Sequence, residues 1–407
     1  MDEHGDPPRR PFRRRRRLLI ALAALAAAAA AVVVLGGGSD RPPEPDAFYE
    51  QPDPLPAAPA GAIVRSEAIA RPPQRSTAYR ILYRSRSYTG RPVALSALLL
   101  VPERPAPVDG RNVVALTHGT LGIDERCAAS HGRRFFAHVD GLARFIRAGH
   151  VVVVPDYEGL GTRGPHPYLV GVANARATLD AVRAARRFQP AGASARFVAW
   201  GVGQGGHAAL FTGQEAGRYA PELELAGVAV GAPMANLERL LARGRSTAAG
   251  RVAAAYVLAT WSRVYPELRL ERIVHGASRA TIDELSELCL PLDHAPIGDA
   301  LGNRAVRLDY RRSDPWSSAP LEALLARNAP GARAIPVPVI VTQGLADRLV
   351  RPAMTARFVR HLCRQGVAVQ YRPSRGVAHA DVGEKTAPYV SKWIARRFAG
   401  EPARSTC

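Results

Sequence analysis

At 407 residues, 47% of them hydrophobic, the chain has enough apolar material for one large α/β domain with an insertion and does not require two unrelated domains. Its formal net charge of +20 is carried almost wholly by arginine, Lys385 and Lys392 being the only lysines. The arginines are spread along the chain without a basic helix or an aromatic-interleaved patch, which argues against a nucleic-acid partner and leaves attraction to an acidic envelope or anionic lipid.

The first predicted element is apolar. Arg13 to Arg17 form the one basic run, and Leu18 to Leu35 follow as 18 uncharged apolar residues. That length is long for a signal-peptide core and short for a membrane span, and the basic side is the one expected to stay in the cytoplasm. No clear Ala-x-Ala site separates the run from Gly36-Gly37-Gly38 and no lipobox cysteine follows it, so residues 1–17 read as a basic cytoplasmic N-terminus and 18–35 as a signal anchor, with a cleaved signal peptide as the alternative. Both readings export the rest of the chain, to the cell surface or the medium. Residues 36–61, rich in Pro, Gly and Asp, read as an extended tether rather than packed structure. Four cysteines, Cys127, Cys289, Cys363 and Cys407, suit an exported protein with two disulfides, in any of three pairings.

Within residues 62–407 the pattern alternates strand and helix. Val93 to Val101 and Asn112 to Leu116 are short β-type runs bounded by Pro and Gly. Val151 to Val154 is a continuous β-branched run of the kind buried on both faces of a parallel sheet. Ala173 to Phe188 has apolar positions at helical spacing and serves as a crossover helix. Phe197 to Trp200, Gly227 to Val230, Val337 to Thr342 and Val367 to Tyr371 continue the strands. The alternation predicts a mostly parallel sheet with helices on both faces and a ligand site at the carboxyl ends of the strands. Between about 234 and 335 it stops. There Leu237 to Ala242, Val252 to Val264 and Thr281 to Leu288 have helical spacing, which predicts an inserted α-helical cap.

The most informative stretch is Trp200-Gly201-Val202-Gly203-Gln204-Gly205-Gly206-His207, between the strand Phe197 to Trp200 and a helical run from Ala208 to Glu215. A strand, a turn flanked by small residues and a helix make the context of a nucleophile elbow, in which a serine sits at the tip. Here the tip is Gly203, which carries no oxygen. Val202 and Gln204 are poor nucleophiles, and Ser194 precedes the strand, far from its carboxyl end.

This elbow resembles that of the secretory lipase family of α/β-hydrolases, whose pattern is Gly-x-Ser-Gln-Gly-Gly. Phe48-Tyr49, Arg65-Ser66-Glu67, Leu82-Tyr83-Arg84-Ser85, Thr117-His118-Gly119-Thr120, Pro155-Asp156-Tyr157-Glu158-Gly159-Leu160-Gly161, His166-Pro167-Tyr168 and Gly344-Leu345-Ala346-Asp347 are similar to the family in the same order. The likeness spans about residues 48–400 and implies an α/β-hydrolase fold. It also implies the pairings Cys127 with Cys289 and Cys363 with Cys407.

An acyl-transfer site needs a nucleophile, a base, an acid that orients the base, and donors for the oxyanion. In α/β-hydrolases the chain order is nucleophile, acid, histidine. Asp347, after the strand Val337 to Thr342, and His379, after Val367 to Tyr371, fill the last two places, with Gly203 at the first. The expected oxyanion donors are the backbone amides of Gln204 and Thr120, and the latter is preferred to Gly119. His207 reads as structural and Asp156 as ordering neighbouring loops. No residues have metal-ligand spacing, and no cofactor is expected. The expected ligand is a lipid or other carboxylic ester, with hydrolysis severely weakened or lost. Two alternatives follow: a lipase or esterase of lipid catabolism whose water is activated by His379 and Asp347, and a non-catalytic lipid- or acyl-binding surface protein.

Overall fold

A computed structural model of the chain describes residues 44–131, 135–290 and 308–407. One nine-stranded sheet organises them, with strand order β1-β2-β3-β5-β4-β6-β7-β8-β9. The strands are β1 (Ile63–Ala68), β2 (Ser76–Arg86), β3 (Pro92–Pro102), β4 (Arg111–Thr117), β5 (Val151–Pro155), β6 (Ala193–Val202), β7 (Glu224–Gly231), β8 (Val339–Gly344) and β9 (Val369–Ser374). β1, β2 and β3 pair antiparallel, β3 meets β5 antiparallel, and β5, β4, β6, β7, β8 and β9 run parallel. The antiparallel edge was not anticipated as strands at β1 and β2. β1 is exposed along half its length, so it lacks the continuous apolar run that marks the central strands.

The central strands show why two-sided burial dictates their composition. Val113 and Ala115 of β4 and Val151 and Val153 of β5 enter one apolar cluster, and Val114, Leu116, Val152 and Val154 enter another across the sheet. The period of two places alternate side chains on opposite faces, and both faces are covered. Helices α2 (Gly171–Arg187) and α3 (Gln204–Tyr219) cover the first face, and α1 (Leu142–Arg147) and α9 (Val382–Phe398) the second. Each fully buried valine contributes about 1.5 to 3 kcal/mol relative to an exposed one. Helix α8 (Pro352–Arg364) packs on β8 and β9 through Phe358, Val359 and Leu362.

Between β7 and β8 the described chain is helical: α4 (Leu237–Gly244), α5 (Ala248–Val264), α6 (Gly276–Ser286) and α7 (Leu321–Arg327). Their inward faces build a cluster with Tyr256, Trp261 and Trp316 at its centre, which reaches Tyr168, Leu169, Ala232 and Met234 at the carboxyl ends of the strands. Trp261 Nε1 donates to Tyr168 O at 2.8 Å, fixing α5 on the loop after β5.

The N-terminal tether is corrected in part. Its residues 36–43, like the apolar run Leu18 to Leu35 and the basic run before it, lie outside the described residues. Within its described part Phe48 and Tyr49 are packed: both are buried with Leu82 and Ala94, and Arg80 stacks on the Phe48 ring at 4.3 Å while pairing with Asp46 at 2.8 Å. Composition misled here because two aromatic residues suffice to dock a Pro-rich segment when a sheet edge is available. Among the described residues no helix is long and apolar enough to cross a membrane. Cys127 is bonded to Cys289 and Cys363 to Cys407, so one bridge ties the loop after β4 to the segment after α6 and the other ties α8 to the C-terminus.

Candidate active site

β6 delivers the chain to Gly203 and α3 carries it away, and the turn between them holds Gly203 at φ 59°, ψ −115°. L side chains rarely adopt this conformation, and it costs of order 1 to 3 kcal/mol when they do. The turn is clamped from both sides. Gly203 N–H donates to Gly231 O at 3.0 Å, and Gly203 O accepts from His207 N–H and Met234 N–H, each at 3.1 Å. Strand and helix close on the end of β4: a Cβ on Gly201 or on Gly205 would overlap Thr117, whose Oγ1 lies 3.0 Å from Trp200 O and 2.8 Å from Gly205 O. The flanking glycines are thus sterically required, and the elbow's architecture persists without its serine.

A Cβ built on Gly203 would point at His379, 3.1 Å from Nε2 and 3.6 Å from Cε1. His379 sits in a short 3-10 turn after β9, and Asp347 in the loop after β8. The two loops are stitched together by Leu345 N–H to Ser374 O at 2.8 Å and Ala346 N–H to Val377 O at 3.0 Å. His379 Nδ1 meets Asp347 Oδ2 at 2.7 Å, with the Asp347 side chain fully buried and that of His379 23% exposed. The other carboxylate oxygen accepts the Leu349 and Val350 N–H groups, both at 2.8 Å. Gln343 Nε2 approaches Oδ2 at 3.4 Å and donates to Val350 O at 3.0 Å, while Gln343 Oε1 accepts from Thr355 Oγ1 at 2.5 Å. A proton on Nδ1, held by the carboxylate, leaves Nε2 as an acceptor facing the elbow tip. The three predicted positions therefore converge, with an imidazole hydrogen-bonded to a carboxylate and aimed at a residue with no side chain.

The family model for secretory lipases matches residues 137–406, well over half the chain. The chain belongs to the secretory lipase family. It is 25% identical to a protein of Mycobacterium tuberculosis named a probable inactive lipase, over 88% of this chain and 83% of that one. It is 24% identical to Lipase 6 of Candida albicans, over 90% of this chain and 84% of that one. Among solved structures, lipase A of Candida antarctica in its closed state superposes with a TM-score of 0.73 at 19% identity, covering 90% of this chain and 89% of that chain. The fold is that of an α/β-hydrolase, and the chain is a lipase-like member of it. Family and disulfides together point to export.

Around this secretory-lipase elbow lie the other predicted positions. The amide of Gln204 opens α3, and Thr120 lies in the loop after β4, with its Oγ1 3.0 Å from Tyr168 OH. Neither backbone N–H has a hydrogen-bond acceptor among the described residues. Two non-glycine residues close by, Leu169 and Ala232, take positive φ values of 55° and 38°. Val202 and Val377, beside the elbow tip and His379, pack against the cluster of the inserted helices. Ser194 is the second residue of β6, roughly 30 Å of strand away from Gly203.

His207 is buried, its Nε2–H donates to Asn328 O at 2.8 Å, and burial pushes its pKa down to about 4. Asn328 also bonds Tyr265 OH at 2.8 Å and accepts from Gly171 N–H at 3.3 Å, so it joins the elbow helix to the insertion. Asp156 is buried between Ser96 Oγ at 2.6 Å and Ser130, and desolvation raises its pKa to about 6. Through Ser130 it also reaches Tyr49 OH, tying the loop after β5 to the N-terminal segment. Gln343 and Asn328 had no sequence signal, since a lone amide in a strand or loop announces nothing until its neighbours are known. Among the described residues no group of His, Cys, Asp or Glu could hold a metal ion.

Proposed function

We propose that this secretory lipase relative binds lipid or other carboxylic esters at the elbow and hydrolyses them very weakly or not at all. One observation carries the reading: the backbone of the elbow tip aims its missing side chain at His379 Nε2, and the residue there is Gly203. No acyl-enzyme can form on a residue without an oxygen, while the amides of Gln204 and Thr120 still offer donors to an ester carbonyl. The name of the mycobacterial relative supports a family branch without full lipase activity.

The intact pair Asp347 and His379 favours a second reading within the same site. The hydroxymethyl group that Gly203 lacks leaves room beside His379 Nε2, where a water could hydrogen-bond to the imidazole. His379 would take its proton as hydroxide attacks the carbonyl carbon, and would return it to the departing alkoxide. Asp347 would hold the imidazolium. Helices α4 to α7 of the insertion act as a cap over this site and supply its apolar wall, and the domain is exported and held at the membrane by Leu18 to Leu35.

Hydrolysis of short- and long-chain p-nitrophenyl esters by the purified protein, with a serine-directed phosphonate in parallel, tests the proposal. The expected result is a slow linear release without a burst, or none, and no label at residue 203. A stoichiometric label would place another nucleophile in the site and overturn the reading.

A further inference from the structure

On the face of the sheet covered by α1 and α9 lies a groove of about 890 Å³, bordered at one end by the turn between β1 and β2. Leu142 and Ile146 of α1 and Pro388 of α9 give it an apolar floor. Its rim carries four cations, Arg75, Arg144, Arg147 and Lys385, against one carboxylate, Glu384, and all five side chains are exposed. Some arginines elsewhere are neutralised within the fold, as Arg80 is by Asp46 and Glu67 and Arg183 by Asp180 and Glu222. None of the four rim cations has an ion-pair partner among the described residues. Arg75 holds its place with φ 63°, a left-handed conformation costly for a residue with a Cβ. Tyr389 is 59% exposed and stands one turn beyond Lys385 on the same face of α9.

We propose that this groove docks the domain on the anionic headgroup of a membrane phospholipid. The combination of floor and rim selects the occupant. Guanidinium and ammonium groups match a phosphodiester, and the floor accepts the glycerol and first acyl carbons that a free phosphate lacks. A zwitterionic headgroup would bring its own cation into a rim that already has three uncompensated positive charges, four less one. The lone exposed tyrosine suits the interfacial zone of a bilayer, where amphipathic rings reside. A nucleic acid would need a longer basic track with several stacking rings. This docking does not depend on whether the ester site hydrolyses anything.

The test places the full chain in liposomes containing a trace of photo-activatable phosphatidylglycerol or phosphatidylcholine, and maps crosslinks by peptide mass spectrometry at low salt. Phosphatidylglycerol should label Phe136 to Arg147 and Glu384 to Tyr389 at least about fivefold more than phosphatidylcholine. Arg144→Gln with Lys385→Gln should lower that labelling roughly 25-fold, at about fivefold per cation facing an anionic surface. Arg312→Gln with Arg404→Gln, which removes the same charge elsewhere, should leave it unchanged. Equal labelling by the two lipids, or equal loss in both double variants, would overturn the proposal in favour of diffuse surface charge. Full competition by millimolar inorganic phosphate would reduce the groove to a phosphate site, and full competition by a polyglutamate peptide would reassign it to an acidic protein segment. Unchanged near-ultraviolet circular dichroism establishes that the variants fold.

Discussion

Restoring the missing oxygen with Gly203→Ser puts the reading of the elbow at greatest risk. The new Cβ would fall 3.1 Å from His379 Nε2, tighter than ordinary side-chain contacts, so His379 must retreat by a few tenths of an ångström. Its side chain is 23% exposed and can move. The backbone at φ 59°, ψ −115° would then carry a side chain, at a cost of about 1 to 3 kcal/mol. With an unfolding entropy of about 2.1 cal/mol/K per residue, a domain of this size should lose about 1 to 4 °C in Tm. Catalysis should move the other way. Loss of a triad serine costs on the order of 10⁶-fold in kcat, and a displaced base costs up to about 10²-fold per ångström, so a rise on the order of 10⁴- to 10⁶-fold is expected. The assay is stopped-flow hydrolysis of a p-nitrophenyl ester for the burst, phosphonate labelling followed by mass spectrometry for residue 203, and calorimetry for Tm. Gly203→Ala should show the same loss of Tm with neither burst nor label. A Gly203→Ser protein that folds and melts as expected yet neither labels nor gains rate would refute the idea that the oxyanion donors and the pair Asp347 and His379 remain competent.

If His379 activates water in the wild type, His379→Ala should abolish a residual rate that is about 10² to 10⁴ above the variant's, measured with long incubations and an inactive-protein blank. Asp347→Ala should also cost stability, about 1 to 3 kcal/mol for each buried N–H it strands at Leu349 and Val350, read from urea unfolding. The buried histidines His118, His166 and His207, each pushed down to about 4 by desolvation, bind fewer protons folded than unfolded, so their contribution to stability is present above about pH 6.5 and lost as pH falls toward 4. His207→Gln should flatten the fall of Tm across that window, whereas Asp156→Asn should steepen it, because a carboxyl raised to about 6 favours folding as pH falls. Removing the bridge Cys127 to Cys289, with a sequence separation of 162, should cost about 5 kcal/mol, against about 4 for Cys363 to Cys407 with a separation of 44, by calorimetry of the paired Cys→Ser variants. The full-length protein should sediment with membranes and keep its N-terminus, and recovery as soluble protein starting near Gly37 would remove the anchor.

Sequence alone carried what local chemistry demands. A strand buried on both faces must be apolar at every position, so Val151 to Val154 announced itself, as did the alternation of strand and helix. An elbow pressed against Thr117 tolerates only glycine at 201 and 205, so the turn was legible even though its central residue had changed. The chain order of Gly203, Asp347 and His379 followed from the same pattern. Whatever depends on two distant surfaces meeting was left to the tertiary structure. The packing of Phe48 and Tyr49 needed β2 and β3 to exist as a surface, and the service of Gln343 to Asp347 needed the strand's facing and the loop's path. The aim of His379 at an empty tip is the sharpest case: it comes from two loops 32 residues apart, held together by backbone hydrogen bonds, and from a turn conformation at Gly203. Sequence order names such residues, but directions and distances of a few ångströms arise only when the sheet brings the carboxyl ends of its strands side by side.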